Sequence, residues 1–124
     1  MDISNNMKFY EGYEGETKII FQFGGDNNKS IHLWEGYIDD IMNHQPGTDD
    51  DYKNGLSFDW NSLEGPYSSD RTDNYIDVDD YYNDLIRFKD VQFKYEETKE
   101  AYELLLSFLK QAKDNNEKVE VIID

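Results

Sequence analysis

The stretch EETKEAYELLLSFLKQAK, residues 96–113, is followed closely by VEVII, residues 119–123. The first stretch predicts an amphipathic helix, because its apolar residues recur at three- and four-residue spacing and share one face. Its glutamates come early and its last lysines late, which suits the helix dipole. The second stretch is short, β-branched and bounded by polar residues, so it predicts a strand. The apolar face is broad enough to dock on a sheet; it comprises Ala101, Leu104, Leu105, Phe108, Leu109 and Ala112.

The first half of the chain predicts a second strand and a second helix. Residues 17–23 are β-branched and aromatic, which indicates a strand, and the glycine- and asparagine-rich residues 24–28 indicate a turn after it. Ser30 suits the cap of a helix that runs to about Asn43. Its buried face would hold Ile31, Trp34, Ile38, Ile41 and Met42. Gly36 weakens this helix, so a strand over residues 31–34 is the alternative.

The second half adds shorter elements. Leu56, Phe58 and Trp60 alternate with polar residues and predict a half-buried strand. Residues 75–78 predict a short strand, and a helix capped by Asp79 or Asp80 follows it to about Phe88. Residues 91–95 fit either a strand or the approach to the last helix. Together these elements predict an α+β fold, with a single small sheet and two or three helices packed on it. We expect a single domain over residues 1–124, with residues 1–6 flexible.

The charge of the chain is strongly negative and unevenly distributed. The net charge is −16, from 28 acidic and 12 basic residues. Residues 39–84 hold thirteen acidic residues but only Lys53 and Arg71, so this third of the chain carries a net −11. Charge that serves only solubility would be spread more evenly. The same residues include seven aromatic side chains, which dominate the energetics of many interfaces. We therefore predict that residues 39–84 form a partner-binding surface.

The composition excludes several kinds of partner and location. Phosphate recognition needs clustered Lys and Arg, so direct nucleic-acid binding is not expected. Binding to anionic membrane surfaces is disfavoured for the same reason. No apolar run approaches the roughly 20 residues of a membrane span, and the N-terminus lacks the pattern of a secretory signal. We expect a cytoplasmic protein whose partner is a basic protein.

No motif in the chain predicts catalysis or a cofactor. There are no cysteines and only two histidines, His32 and His44, and neither lies in a nucleophile motif. No phosphate-binding glycine loop is present. The acidic run that begins at Asp49 fails as a calcium-binding EF-hand, because Lys53 and Asn54 occupy positions that need an oxygen ligand and glycine. We expect no enzymatic activity, no cofactor and no metal site.

The acidic and aromatic segments 49–60 and 70–84 carry a resemblance to a known group of proteins. In size, lack of cysteine and acidic-aromatic character, the chain resembles the small acidic immunity proteins of bacterial toxin–immunity systems. Colicin and contact-dependent growth-inhibition systems include such proteins. The resemblance implies a protein that binds and neutralises a cognate basic toxin, such as a nuclease, as an antitoxin does. It carries over no functional residues.

A second possible function also depends on an acidic surface that binds a basic site. Carboxylates can replace phosphates in a basic channel, so the alternative is a nucleic-acid mimic, an anti-restriction or anti-CRISPR protein that inhibits a DNA- or RNA-binding effector. The seven basic residues of 85–124 favour the immunity protein over the mimic, which would spread negative charge along one face. For either function, the partner-binding residues come from the acidic and aromatic count alone. They are Asp49, Asp50, Asp51, Tyr52, Asp59, Trp60, Asp70, Asp73, Tyr75, Asp77, Asp79 and Asp80.

Overall fold

The structure, a computed structural model, describes residues 6–24, 26–46, 55–61 and 75–123. At positions 26–28, 58, 59 and 61 it describes the backbone alone. The predicted flexibility of residues 1–6 therefore falls almost wholly outside the described residues. Within the described ranges, no helix is long and apolar enough to span a membrane.

The described strands form one antiparallel sheet of four strands. They are β1 (Lys18–Phe23), β2 (Asp26–Trp34), β3 (Tyr75–Ile76) and β4 (Val119–Ile123), in the order β2-β1-β4-β3. The alternation of side chains in strands puts every second residue on the same face. On β1 the inward residues are Ile19, Phe21 and Phe23, which belong to the hydrophobic core. The hairpin turn is shorter than predicted, because β2 already begins at Asp26.

The helices confirm the predicted α+β fold. Three have eight residues or more, namely α1 (Glu35–Met42), α3 (Val78–Ile86) and α4 (Glu96–Asp114). The fourth, α2 (Leu56–Asn61), has only six residues. The last helix matches its prediction within one residue at its C-terminal end. All six residues of its predicted apolar face are buried, and the ring of Phe108 lies 4.9 Å from that of Phe23 on β1, measured between centroids.

The prediction that a helix begins at Ser30 is wrong. Residues 30–34 belong to β2, and α1 starts only at Glu35. Ile31 pairs with Phe21 of β1 and Leu33 pairs with Ile19, so both side chains are fully buried against the core. A long central partner strand thus outweighs the helical spacing of a few apolar residues. The strand alternative for residues 31–34 is the correct one.

The predicted strand at residues 56–60 is also wrong, because these residues form α2. Three alternating apolar residues are too few to distinguish a strand from a helix. The residue between the first two, Ser57, is polar yet fully buried. Its backbone N–H donates a 2.8 Å hydrogen bond to the Asp84 carboxylate. That bond satisfies a first-turn donor that a helix leaves unpaired, so a tertiary contact supports the helix.

Candidate partner-binding surface

The described part of the predicted surface lies at the start of α3 and on the elements beside it. Its described side chains are those of Trp60, Tyr75, Asp77, Asp79 and Asp80. Asp59 lies on α2, and its side chain is not described. Six further predicted residues lie outside the described residues: Asp49, Asp50, Asp51, Tyr52, Asp70 and Asp73.

Three aspartates crowd the first turn of α3. Asp77 is the N-cap, and its carboxylate accepts a 3.0 Å hydrogen bond from the Asp80 backbone N–H. The prediction that Asp79 or Asp80 caps this helix is therefore wrong. Both lie within the first turn, where negative charge favours the helix dipole. Burial raises the pKa of the Asp80 carboxyl, and the charges of Asp77 and Asp79 raise it further.

Tyr75 supplies an exposed aromatic ring two residues before that cap. It lies on the edge strand β3, opposite Glu120 of β4, and is 38% exposed. Part of its ring packs on the hairpin turn, where a Cβ added to Gly24 would lie 2.9 Å from Cε1 of the tyrosine. The Lys118 ammonium lies 5.6 Å from the ring centroid. Tyr75 is therefore held in place and still accessible. We name Tyr75, Asp77, Asp79 and Asp80 together the β3–α3 corner.

Trp60 is not equally accessible. Its side chain is half-buried and packs against the hydrophobic core. The contact between α2 and α3 brings it into this part of the molecule. Trp60 thus helps to hold α2 in place, and the exposed aromatic contribution of the described corner comes from Tyr75.

Asp40 in the acidic segment is a structural residue, since it is only 4% exposed. Its carboxylate accepts hydrogen bonds from the backbone N–H groups of Lys94 and Tyr95, at 2.9 and 3.0 Å, and from the Thr98 hydroxyl at 2.6 Å. The α4 N-cap, Tyr95, has no side-chain capping bond of its own. Asp40 thus caps α4 from another helix. We name this group the Asp40 clamp.

The electrostatics of Asp40 agree with this geometry. Burial alone raises the pKa of the Asp40 carboxyl, but hydrogen bonds from Thr98, Tyr95 and Lys94 outweigh it. His44 adds to their effect, since its Nδ1 lies 3.2 Å from Oδ1 of Asp40. The pKa of Asp40 is consequently held below its usual value. A low pKa means that the folded state favours the ionised carboxylate.

Asp84 has a corresponding position under α2. It is buried and accepts the Ser57 N–H described above. Gly55, just before α2, has φ +95°, and a Cβ there would lie 2.8 Å from the Asp84 Cβ. This close approach allows only glycine. Two of the thirteen acidic residues in 39–84 therefore hold helices together, and the net −11 overstates the charge available to a partner.

Most described lysines lie against aromatic rings. Seven have their ammonium within 6.0 Å of a ring centroid, namely Lys8, Lys18, Lys29, Lys94, Lys99, Lys113 and Lys118. Among ion pairs between described residues, the one lysine–carboxylate pair joins Lys110 to Asp114 at 3.0 Å. These ammonium groups are placed for cation–π contacts, and each keeps its positive charge. The exposed carboxylates retain a negative potential that a basic partner can complement.

A cleft that the sequence did not indicate lies at the start of α1. It has a volume of about 360 Å³, and its walls include Glu16, Trp34, Glu35 and Asp39. Glu35 and Asp39 are four residues apart, so they share one face of the helix. Burial raises the pKa of Glu35, and the charge of Asp39 raises it further, while burial also raises the pKa of Asp39. The sequence did not indicate this cleft, because a helix that begins at Ser30 would place Trp34 in its interior and not at its start. We name it the Trp34 cleft.

Within the described ranges, no group of three or more acidic or histidine side chains is placed to hold a metal ion. The acidic run considered for calcium, from Asp49, lies outside those ranges. No protein-family model, curated protein or solved structure matches this chain.

Proposed function

We propose that the chain is a cytoplasmic immunity protein that binds and neutralises a cognate basic toxin, such as a nuclease. The observation that carries the proposal is the β3–α3 corner, where an exposed tyrosine adjoins three crowded carboxylates. Tyrosine is a common hot-spot residue, and carboxylates steer a basic partner toward the site. The Lys118 ammonium, 5.6 Å from the Tyr75 ring centroid, keeps its positive charge, but the three carboxylates of the corner outnumber it.

The crowding of the three carboxylates supports the same function. Burial raises the pKa of Asp80, and repulsion from Asp77 and Asp79 raises it further; a partner's Lys or Arg would offset that repulsion. Nuclease active sites are basic because they hold phosphate, and an acidic surface with an aromatic contact can cover such a site. Charge complementarity of this kind raises association rates, which suits an inhibitor that must capture its toxin quickly.

Affinity capture from the native host with the full chain as bait tests the function. We expect a basic toxin domain in a one-to-one complex, and we expect its activity to fall when the chain is added. Recovery of a restriction or CRISPR effector would replace the proposal by the nucleic-acid mimic. A folded bait that recovers neither would overturn both.

Charge reversal at the corner then tests the surface. In Asp79→Lys we expect association with the captured partner to slow by about threefold or more, because a steering charge at the rim is reversed. Glu103→Lys is the matched control, since Glu103 is an exposed acid in the middle of α4 and undergoes the same change of charge. Equal slowing in both variants, or none in Asp79→Lys, would exclude the corner. Association should also slow as salt rises from about 50 to 500 mM.

A further inference from the structure

The Trp34 cleft combines a preformed aromatic wall with three acidic side chains. The Trp34 indole stacks on the Tyr13 ring, with centroids 4.0 Å apart and planes 7° from parallel. On another side it lies so close to Gly36 that a Cβ there would be 2.4 Å from the ring. The indole N–H donates a 3.3 Å hydrogen bond to Glu16. The wall is thus in place before any partner arrives, which lowers the entropy cost of binding.

The open part of this surface has the character of an interface. Tyr95 lies beside the indole, with ring centroids 6.1 Å apart, and is itself 38% exposed. Three acidic side chains, Glu16, Glu35 and Asp39, line the cleft, and none of its described lining residues is basic. Aromatic residues at the centre with charged residues around them are typical of protein interfaces.

We propose that the Trp34 cleft is a docking surface for an arginine-bearing segment of a basic protein partner. Charge complementarity selects the occupant, since a cation placed between Glu35 and Asp39 would offset their mutual repulsion. The planar guanidinium of arginine can bind two carboxylates in a forked geometry, which the compact ammonium of lysine does not match. The proposal rests on the proposed function only in taking the partner to be basic, and it adds a contact separate from the β3–α3 corner.

A peptide titration tests the cleft without the native partner. The ¹⁵N-labelled full chain is titrated with a blocked peptide that carries two arginines between glycines. The reference peptide carries citrulline, the neutral isostere of arginine. We expect the arginine peptide to shift the Trp34 indole signal and the amides of Glu35, Gly36 and Asp39 in a saturable way. The citrulline peptide should leave them in place.

Variants that remove negative charge show whether the arginine peptide binds at the cleft or responds to the overall charge of the chain. Glu35→Gln combined with Asp39→Asn should weaken arginine-peptide binding by about threefold to tenfold, as expected for the loss of two partly exposed ion pairs. The control, Glu103→Gln combined with Glu117→Gln, removes the same charge from exposed residues outside the cleft. It should weaken binding by less than about twofold.

Equal weakening in both double variants, an equal response to citrulline, or shifts confined to the β3–α3 corner would overturn the proposal. If the capture experiment fails but the arginine peptide binds as expected, the proposed function is overturned and the cleft is still a site for arginine. Capture of a toxin together with a negative titration would retain the proposed function and exclude the cleft.

Discussion

Replacement of Asp40 by asparagine tests the Asp40 clamp with almost no change of shape. Asparagine has one carbonyl oxygen and one NH₂ group. If that oxygen keeps the bonds to Tyr95 and Thr98, the NH₂ group faces the N–H of Lys94, and one bond is lost outright. The two bonds that remain become neutral and weaker. Since hydrogen bonds to a charged group contribute about 1.5–3 kcal/mol each, we expect a loss of about 2–3 kcal/mol in the free energy of unfolding.

The neighbouring residue supplies the control. Asp39→Asn removes the same charge one position away, from a carboxylate whose pKa burial raises. Because the folded state disfavours the ionised form of Asp39, its replacement should leave stability unchanged or slightly increase it. Urea unfolding followed by far-UV circular dichroism measures both variants, with equal denaturant slopes as the check on a two-state comparison. A loss below about 0.5 kcal/mol in Asp40→Asn, or an equal loss in Asp39→Asn, would refute the clamp.

Three further predictions concern pH, packing and binding. Because folding lowers the pKa of Asp40, this carboxylate stabilises the folded state above its unfolded pKa of about 3.9, and the stabilisation is lost as pH falls through the lower, folded value. Asp39 and Asp80 have raised pKa values, so their ionised forms destabilise the folded state, and that destabilisation is relieved as pH falls. The urea midpoint should therefore rise as pH falls toward about 4, where the carboxyls with raised pKa values take up protons, and drop at lower pH; a midpoint that falls steadily from pH 7 would contradict this. Gly36→Ala should lower the free energy of unfolding by about 1 kcal/mol. The new methyl group displaces the Trp34 indole, which loses more stacking and burial than alanine adds in helix propensity. A variant that is more stable in thermal unfolding would show that Gly36 does not confine the indole. Tyr75→Ala should weaken binding of the captured partner by about 2 kcal/mol, measured by calorimetry, whereas unchanged affinity in a folded variant would place Tyr75 outside the interface.

The described residues of the acidic segment differ in exposure. Tyr75, Asp77 and Asp79 are exposed as an interface requires, and they lie together because β3 leads directly into α3. A count of acidic residues along the chain cannot distinguish the exposed aspartates from the buried Asp40 and Asp84, because all of them are aspartates in the same acidic segment. Their difference arises from which backbone N–H groups the fold brings to each carboxylate.

The chain by itself determined the α+β class, the strands β1 and β4, and α4 with its buried face. Those elements are long enough, or periodic enough, for local propensity and side-chain pattern to agree. Only the tertiary structure decided that residues 30–34 form a strand and residues 56–60 a helix. Pairing with β1 buries Ile31 and Leu33 in the first case, and Asp84 satisfies the start of α2 in the second. Long-range contacts also make Asp40 a helix cap, since Lys94, Tyr95 and Thr98 supply its hydrogen bonds, and they complete the Trp34 cleft by placing residues 15–17 beside the start of α1.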